Sequence, residues 1–298
     1  MRLRVLVSFH YHRDTDLDAL VADLGGGVDL FADSGAYSAY STGAVIDREK
    51  YAAWLARWDH LLSVKSNLDV IGDPDGGADN LAWLSAQGHM IMPVFHVGEP
   101  FDLLRAMCEK HPYVALGGLV PYLAGDRHRS QLMAWLIKAH VIGKKTGTAL
   151  HGFGLTSAQL VKDLPFYSLA SSSYTFGRRF GLVYLWDAKA LSIRSVLFRN
   201  QAEVRRYAHL FRLHGIEPGT VLDPQYMRPS TDRFVDDVIE MTKVSVRAYR
   251  LMEQTLTARH RVAAPAGASD PGTKIYLVLN SISPVDIGPL VRALQEEN

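Results

Sequence analysis

The chain reads as a (β/α)8 TIM-type barrel with a C-terminal helical extension. Short apolar runs alternate with helix-like runs along the first 170 residues. Each apolar run ends in polar or glycine residues. The units recur at roughly 25 to 35 residues, the length of a strand plus a helical crossover. Parallel strands covered by helices are buried on both faces, so they read as continuous apolar runs. The open doubly wound sheet is the alternative.

The strand-like runs lie near 3–9, 28–33, 66–71, 90–96, 113–118, 147–152 and 166–170. The opening Met1-Arg2-Leu3-Arg4-Val5-Leu6-Val7-Ser8 is too short in its apolar part for a signal peptide and fits a first strand. The clearest helix spans 47–62. Asp47 caps it, and Tyr51, Trp54, Leu55, Trp58, Leu61 and Leu62 fall at three- and four-residue spacing. A helix near 78–87 follows a Pro-Asp-Gly-Gly turn, and one near 127–140 puts Leu132, Trp135, Leu136 and Ala139 on one face. These units leave one strand to be found, and either 182–186 or 274–280 supplies it.

Beyond Ser173 the pattern changes. Residues 181–187 and 190–196 read as a hairpin, followed by helices near 199–214 and 231–258. The Ala-, Pro- and Gly-rich stretch 263–272 reads as an exposed linker. A last strand, Lys274-Ile275-Tyr276-Leu277-Val278-Leu279-Asn280, and a terminal helix complete the chain. The organisation expected is a barrel core over 1–198, with the helices and last strand of 199–298 packed on it.

With 298 residues and 48% hydrophobic content, the chain buries one large core or two smaller ones. A net charge of +1 gives no global pull toward nucleic acid, although 178–212 holds many arginines and few acids. Cys108 is the only cysteine, which excludes an internal disulfide and a cysteine-built zinc site. No apolar run approaches the roughly 20 residues of a membrane span. The expected compartment is cytoplasmic.

Barrel chemistry sits at the carboxyl ends of the strands. There the sequence offers Asp33, Asp69, Asp73, His96, Gly117, Gly118, His151 and the serines Ser171, Ser172 and Ser173. The run Phe31-Ala32-Asp33-Ser34-Gly35 is the most telling, because a carboxylate at the end of a buried strand is costly unless something polar uses it. Each residue also has a structural reading. Asp33 or Asp73 serves as a turn acid, His96 as a core histidine, the glycines as relief of crowding and the serines as loop. Paired glycines also let a planar ligand approach the backbone.

Asp33-Ser34-Gly35-Ala36-Tyr37, Val94-Phe95-His96-Val97-Gly98 and Ala115-Leu116-Gly117-Gly118-Leu119, in this order, carry a family resemblance. So do Gly177-Arg178-Arg179-Phe180-Gly181, Trp186-Asp187 and Leu191-Ser192-Ile193-Arg194. Over about 30–198 the chain resembles the tRNA-guanine transglycosylase superfamily. It is most similar to the compact phage and bacterial branch that inserts 7-deazaguanine bases into DNA.

The resemblance implies exchange of guanine in DNA for a free 7-deazaguanine base of preQ0 type, without a cofactor or metal. A carboxylate attacks C1′, guanine leaves, and the incoming base displaces the carboxylate from the glycosyl-enzyme. Asp33 would be the general base. Ser34, Asp69, Asp73, His96, Gly117, Gly118 and Leu119 would form the base pocket, with Tyr37 or Phe95 stacking on the ring. The partner would be double-stranded or locally opened DNA, its phosphates met by Arg178, Arg179, Arg194 and Arg199.

The nucleophilic aspartate should end the strand Pro165-Phe166-Tyr167-Ser168-Leu169-Ala170, but Ala170 stands in its place. The resemblance then implies a nucleophile-lacking form, either engineered or natural. A non-catalytic deazaguanine- or DNA-binding protein, a tRNA-directed transglycosylase and an unrelated barrel glycosidase using Asp33 and Asp69 are the competing readings.

Overall fold

The computed structural model describes residues 2–123, 125–268 and 270–295. Its strands are β1 (Leu3–Ser8), β2 (Val28–Asp33), β3 (Leu62–Lys65), β4 (Val94–His96), β5 (Tyr113–Gly117), β6 (Ala149–Gly152), β7 (Ser168–Ser171), β8 (Leu182–Asp187), β9 (Ser192–Leu197) and β10 (Lys274–Leu279). Eight of them form one parallel sheet in the order β3-β2-β1-β10-β7-β6-β5-β4. The sheet curls until its outer strands meet. Ser66 bridges Met92, and Met92 N–H donates to Lys65 O at 2.8 Å. The result is a (β/α)8-type barrel, as the repeat of units predicts.

The eighth strand is β10, set between β7 and β1. The 182–186 run instead belongs to the antiparallel hairpin β8–β9. The last strand is therefore part of the barrel and not packed on it, so residue 198 does not divide the chain into a barrel and an appendage. Everything between β7 and β10 is one long insertion. It has its own core, in which Val183, Leu185 and Val196 of the hairpin meet Phe211, Val221, Met241 and Val244. Helix Phe234–His260 links this core to the barrel, touching both β8 and β10. Trp186 Nε1 donates to Thr255 Oγ1 on that helix at 2.9 Å.

The third strand lies earlier than the expected 66–71. The helix there ends at Arg57 (Arg48–Arg57), so Leu61 and Leu62 continue its spacing without belonging to it. Asp47 caps that helix as expected, accepting from Lys50 N–H at 3.0 Å. Residues 66–73 are then the loop after β3. Asn67 Nδ2 pins the loop to Gly77 O at 2.8 Å, and Asn80 Nδ2 donates to Leu68 O at 3.0 Å. The expected 199–214 helix is broken into Gln201–Arg206 and Ala208–Leu213.

Two cores hold the barrel. Leu6, Phe31, Met92, Val94, Ala115, Ala170 and Tyr276 fill its interior. A larger set, including Val5, Leu30, Tyr51, Leu55, Phe95, Leu116 and Leu277, lies between the sheet and its helices. Burying one such Phe or Leu side chain contributes about 1.5–3 kcal/mol. No helix among the described residues is long and apolar enough to cross a membrane.

Candidate active site at the barrel mouth

Side chains alternate along a strand, so the interior cluster fixes which residues face the mouth. Two positions beyond Leu6, Phe31, Val94, Ala115 and Ala170 stand Ser8, Asp33, His96, Gly117 and Ser172. Asp33, Asp69 and His96 come together here.

Asp33 is held on both oxygens. Ser66 Oγ donates to Oδ1 at 3.0 Å and Gly35 N–H to Oδ2 at 3.1 Å. Ser66 is held in turn by Tyr51, whose buried hydroxyl donates to Ser66 O at 2.8 Å. Gly35 is required at this turn. Its φ is +78°, and a Cβ would sit 2.6 Å from His10 Cβ. Burial, then the charge of Asp69, raises the Asp33 pKa to about 6 against the opposing hydrogen bonds from Ser66 and the Gly35 and Ser34 backbone.

His96 lies between two carboxylates. Its Nε2 is 3.3 Å from Asp69 Oδ2 and its Nδ1 3.5 Å from Glu99 Oε1. Glu99 also accepts from the His96 backbone N–H at 2.9 Å. Burial alone would lower the His96 pKa, but its contacts with Asp69 and Glu99 outweigh it and raise it to about 9. The ring is therefore an imidazolium at neutral pH. Burial raises the Asp69 pKa, against the stabilising contacts of His96.

Gly117 has a specific cause. A Cβ there would lie 2.8 Å from His96 Cδ2 and 2.9 Å from Nε2. The missing side chain makes room for the histidine ring, where the sequence suggested room for a ligand. Gly118 is exposed at φ +69°.

Several expected site residues are used elsewhere. Phe95 points away from the axis and stacks on Trp135 at 5.4 Å, with the rings 3° from parallel. Leu119 is buried in the outer core. Ser34 is buried, and its Oγ accepts from Ala36 N–H at 3.3 Å within the turn. Asp73 is exposed and caps helix Pro74–Ala86 by accepting from Gly76 N–H at 3.1 Å, so the turn-acid reading holds for it. Tyr37 is exposed at the rim.

His151 lies in the barrel interior below the mouth. Its Nδ1 is 2.5 Å from Ser168 Oγ, and burial lowers its pKa to about 3, so the ring is neutral. Ser171 Oγ pairs with Ser173 Oγ at 2.8 Å.

Ala170 faces the axis, 1% exposed, among Leu6, Phe31, Ala115 and Tyr276. Strand β7 carries no carboxylate. Of the four arginines, Arg178 is held by Asp286 at 2.7 Å and donates to Val285 O at 3.1 Å. Arg194 places two nitrogens on Asp187 Oδ2, at 3.0 and 3.2 Å. Both are occupied in holding the fold. Arg179 and Arg199 are exposed.

Ser66, Tyr51 and Glu99 were not anticipated. Glu99 was legible as an acid three residues after His96 in a short loop. Ser66 was hidden by the misplaced third strand. A cavity of about 340 Å³ between helices Pro74–Ala86 and Phe101–Lys110 shares Asp69, His96 and Glu99 with the mouth.

Chemically, the arrangement offers a carboxylate poised to take a proton near neutral pH, a second buried carboxylate and an imidazolium donor. The chain matches no protein-family model and no curated protein.

Proposed function

We propose that the mouth is a base-exchange site of the guanine transglycosylase type, acting on DNA and a 7-deazaguanine base, with the covalent step arrested because β7 brings no carboxylate to the mouth: Ala170 lies one layer below it and Ser172 stands level with Asp33. The observation that carries this reading is the grouping of Asp33 with the Asp69–His96 pair over a glycine strand end. A purine-like base presents a planar amidine edge of donors, which suits a carboxylate such as Asp69, itself held by the His96 imidazolium, and a carbonyl, which suits a backbone N–H such as that of Gly118. Asp33, with its pKa near 6, accepts the ring N–H proton of an incoming base.

In a complete exchange a carboxylate on β7 attacks C1′ and guanine departs with the bond electrons. The incoming base, deprotonated by Asp33, then attacks C1′ and releases the carboxylate. With no carboxylate on β7, this chain binds the base without forming the glycosyl-enzyme.

Calorimetric titration with free preQ0 tests the binding half. Binding by the chain, and its loss in Asp69→Asn, is the expected result; no binding overturns the reading. Ser172→Asp, at the β7 position level with Asp33, assayed by incorporation of labelled guanine into DNA, tests the arrested step. The substitution is expected to create exchange that the unaltered chain lacks. Equal exchange by both forms would move the nucleophile elsewhere.

A further inference from the structure

Five aromatic side chains are exposed among the described residues: Tyr11, Tyr37, Tyr40, Phe176 and Phe180. All five lie in segments that follow strands on one side of the barrel. Tyr11 follows β1, Tyr37 and Tyr40 follow β2, and Phe176 and Phe180 follow β7. Strands β2, β1, β10 and β7 are neighbours in that order, so the rings form an arc along one rim. The loop after β10 fills the gap with Asn280, Ser281 and exposed Ile282. Val45 is the other large aliphatic exposed in these segments.

The charges divide the same way. Segments 9–15, 34–46, 172–181 and 280–283 carry Arg13, Arg178 and Arg179 against one acid, Asp14. The loops after β3 and β4, at 66–75 and 97–102, carry Asp69, Asp73, Asp75, Glu99 and Asp102 with no lysine or arginine. A polyanion is repelled from that side and admitted over the arc. Rings dominate the exposed apolar surface of the arc, and flat faces offered to solvent beside a few cations are the elements of a single-strand platform. The basic hairpin favoured by the sequence is a poorer candidate, since Arg178 and Arg194 are already paired.

We propose that this arc is a stacking platform for unpaired nucleotides of a DNA strand flanking a base placed in the mouth. The inference rests on the base-exchange reading and narrows its substrate to single-stranded or locally opened DNA. Affinity then comes mainly from ring–base stacking. With Arg13 already 3.5 Å from Asp14, Arg179 is the main cation facing the strand, and the log–log salt slope is shallow, about −1.

The test is fluorescence anisotropy with a labelled oligothymidylate of about twenty nucleotides and a duplex of the same length. The chain is expected to favour the single strand. Replacing Tyr40 and Phe180 together by Ala should weaken that binding roughly tenfold or more, because each ring supports one stacked base. Tyr40→Leu with Phe180→Leu keeps apolar surface but removes the rings, and should weaken it as much. Both sites are exposed, so melting curves should stay unchanged.

Equal binding of duplex and single strand, full binding by the leucine pair, or no strand binding overturns the platform. Self-association in sedimentation that the alanine pair abolishes, without DNA binding, assigns the arc to a protein interface and also overturns it. The preQ0 titration separates the two claims. Base binding without strand binding sinks the platform alone, and ring-dependent strand binding without base binding sinks the base-exchange reading alone.

Discussion

The two ends of the barrel both bury carboxylates, and they treat them differently. At the amino end Arg4 pairs with Glu253 at 2.5 Å, Asp270 at 2.8 Å and Asp29 at 3.5 Å. Lys274 adds a second cation, 3.7 Å from Asp270, and Tyr276 donates to Asp29 at 3.1 Å. At the carboxyl end Asp69 and Glu99 share one cation, His96, while Asp33 beside them is held by hydrogen bonds from Ser66 and Gly35. The first network sets two cations against three carboxylates, one of which, Asp270, is largely exposed to water. The second keeps excess negative charge: the charge of Asp69 adds to burial in raising the Asp33 pKa, whereas at the amino end burial raises the Glu253 pKa and the charges of Arg4 and Lys274 oppose it. Saturation marks a plug and incompleteness marks a site, since a buried charge left short of partners is a standing cost that a ligand relieves.

The largest effect should come from breaking the saturated end. Arg4→Met leaves three carboxylates short of their main partner and should cost about 3–5 kcal/mol of stability in urea denaturation. A loss below about 1 kcal/mol would show that the two ends do not differ as described.

At the mouth the sign should reverse. The Asp33 pKa is raised from 3.8 to about 6, so the folded state holds its proton more tightly than the unfolded state. Its contribution is therefore most favourable at low pH and is lost as pH rises through about 6. Asp33→Asn should stabilise the protein at pH 7 by about 1–3 kcal/mol and flatten that part of the pH profile. Destabilisation by the amide would put Asp33 in the same class as the acids of the plug.

A smaller effect sharpens the comparison further. Base binding needs Asp33 ionised and His96 protonated, so affinity should be bell-shaped in pH with limbs near 6 and 9. Gly117→Ala forces the His96 ring away from Asp69. It should weaken base binding about three- to tenfold, within the usual cost of overpacking. It should also return the His96 titration, followed by NMR, toward 6.5. An unchanged upper limb would detach His96 from binding.

Much of this was legible in the sequence where local and global signals agreed. β1, β2, the hairpin and β10 are apolar runs that the fold uses as strands. Asp33 stood out because an apolar strand runs into it. β3 was displaced because Leu61 and Leu62 mimic one more helical turn, and that error concealed Ser66 and put Asp69 on a strand. Phe95 was taken for a base-stacking residue although strand alternation with His96 sends it outward. The pairing of Arg178 was beyond any local pattern, since Asp286 lies more than a hundred residues away and reaches it only through the folded insertion.

The late position of β10 governs how the chain is made. β1 precedes the other barrel strands in the chain, yet one of its two neighbours, β10, is the last of the eight to be made. Until then β1 and β7 are open edges of an incomplete parallel sheet, each presenting unpaired backbone groups to any other extended chain. The insertion can gather its own hydrophobic cluster in the meantime, and its long helix delivers β10 into the gap. Closure is thus a final, long-range event of the slow kind. A nascent or truncated chain ending before residue 274 is a sticky sheet in need of a chaperone.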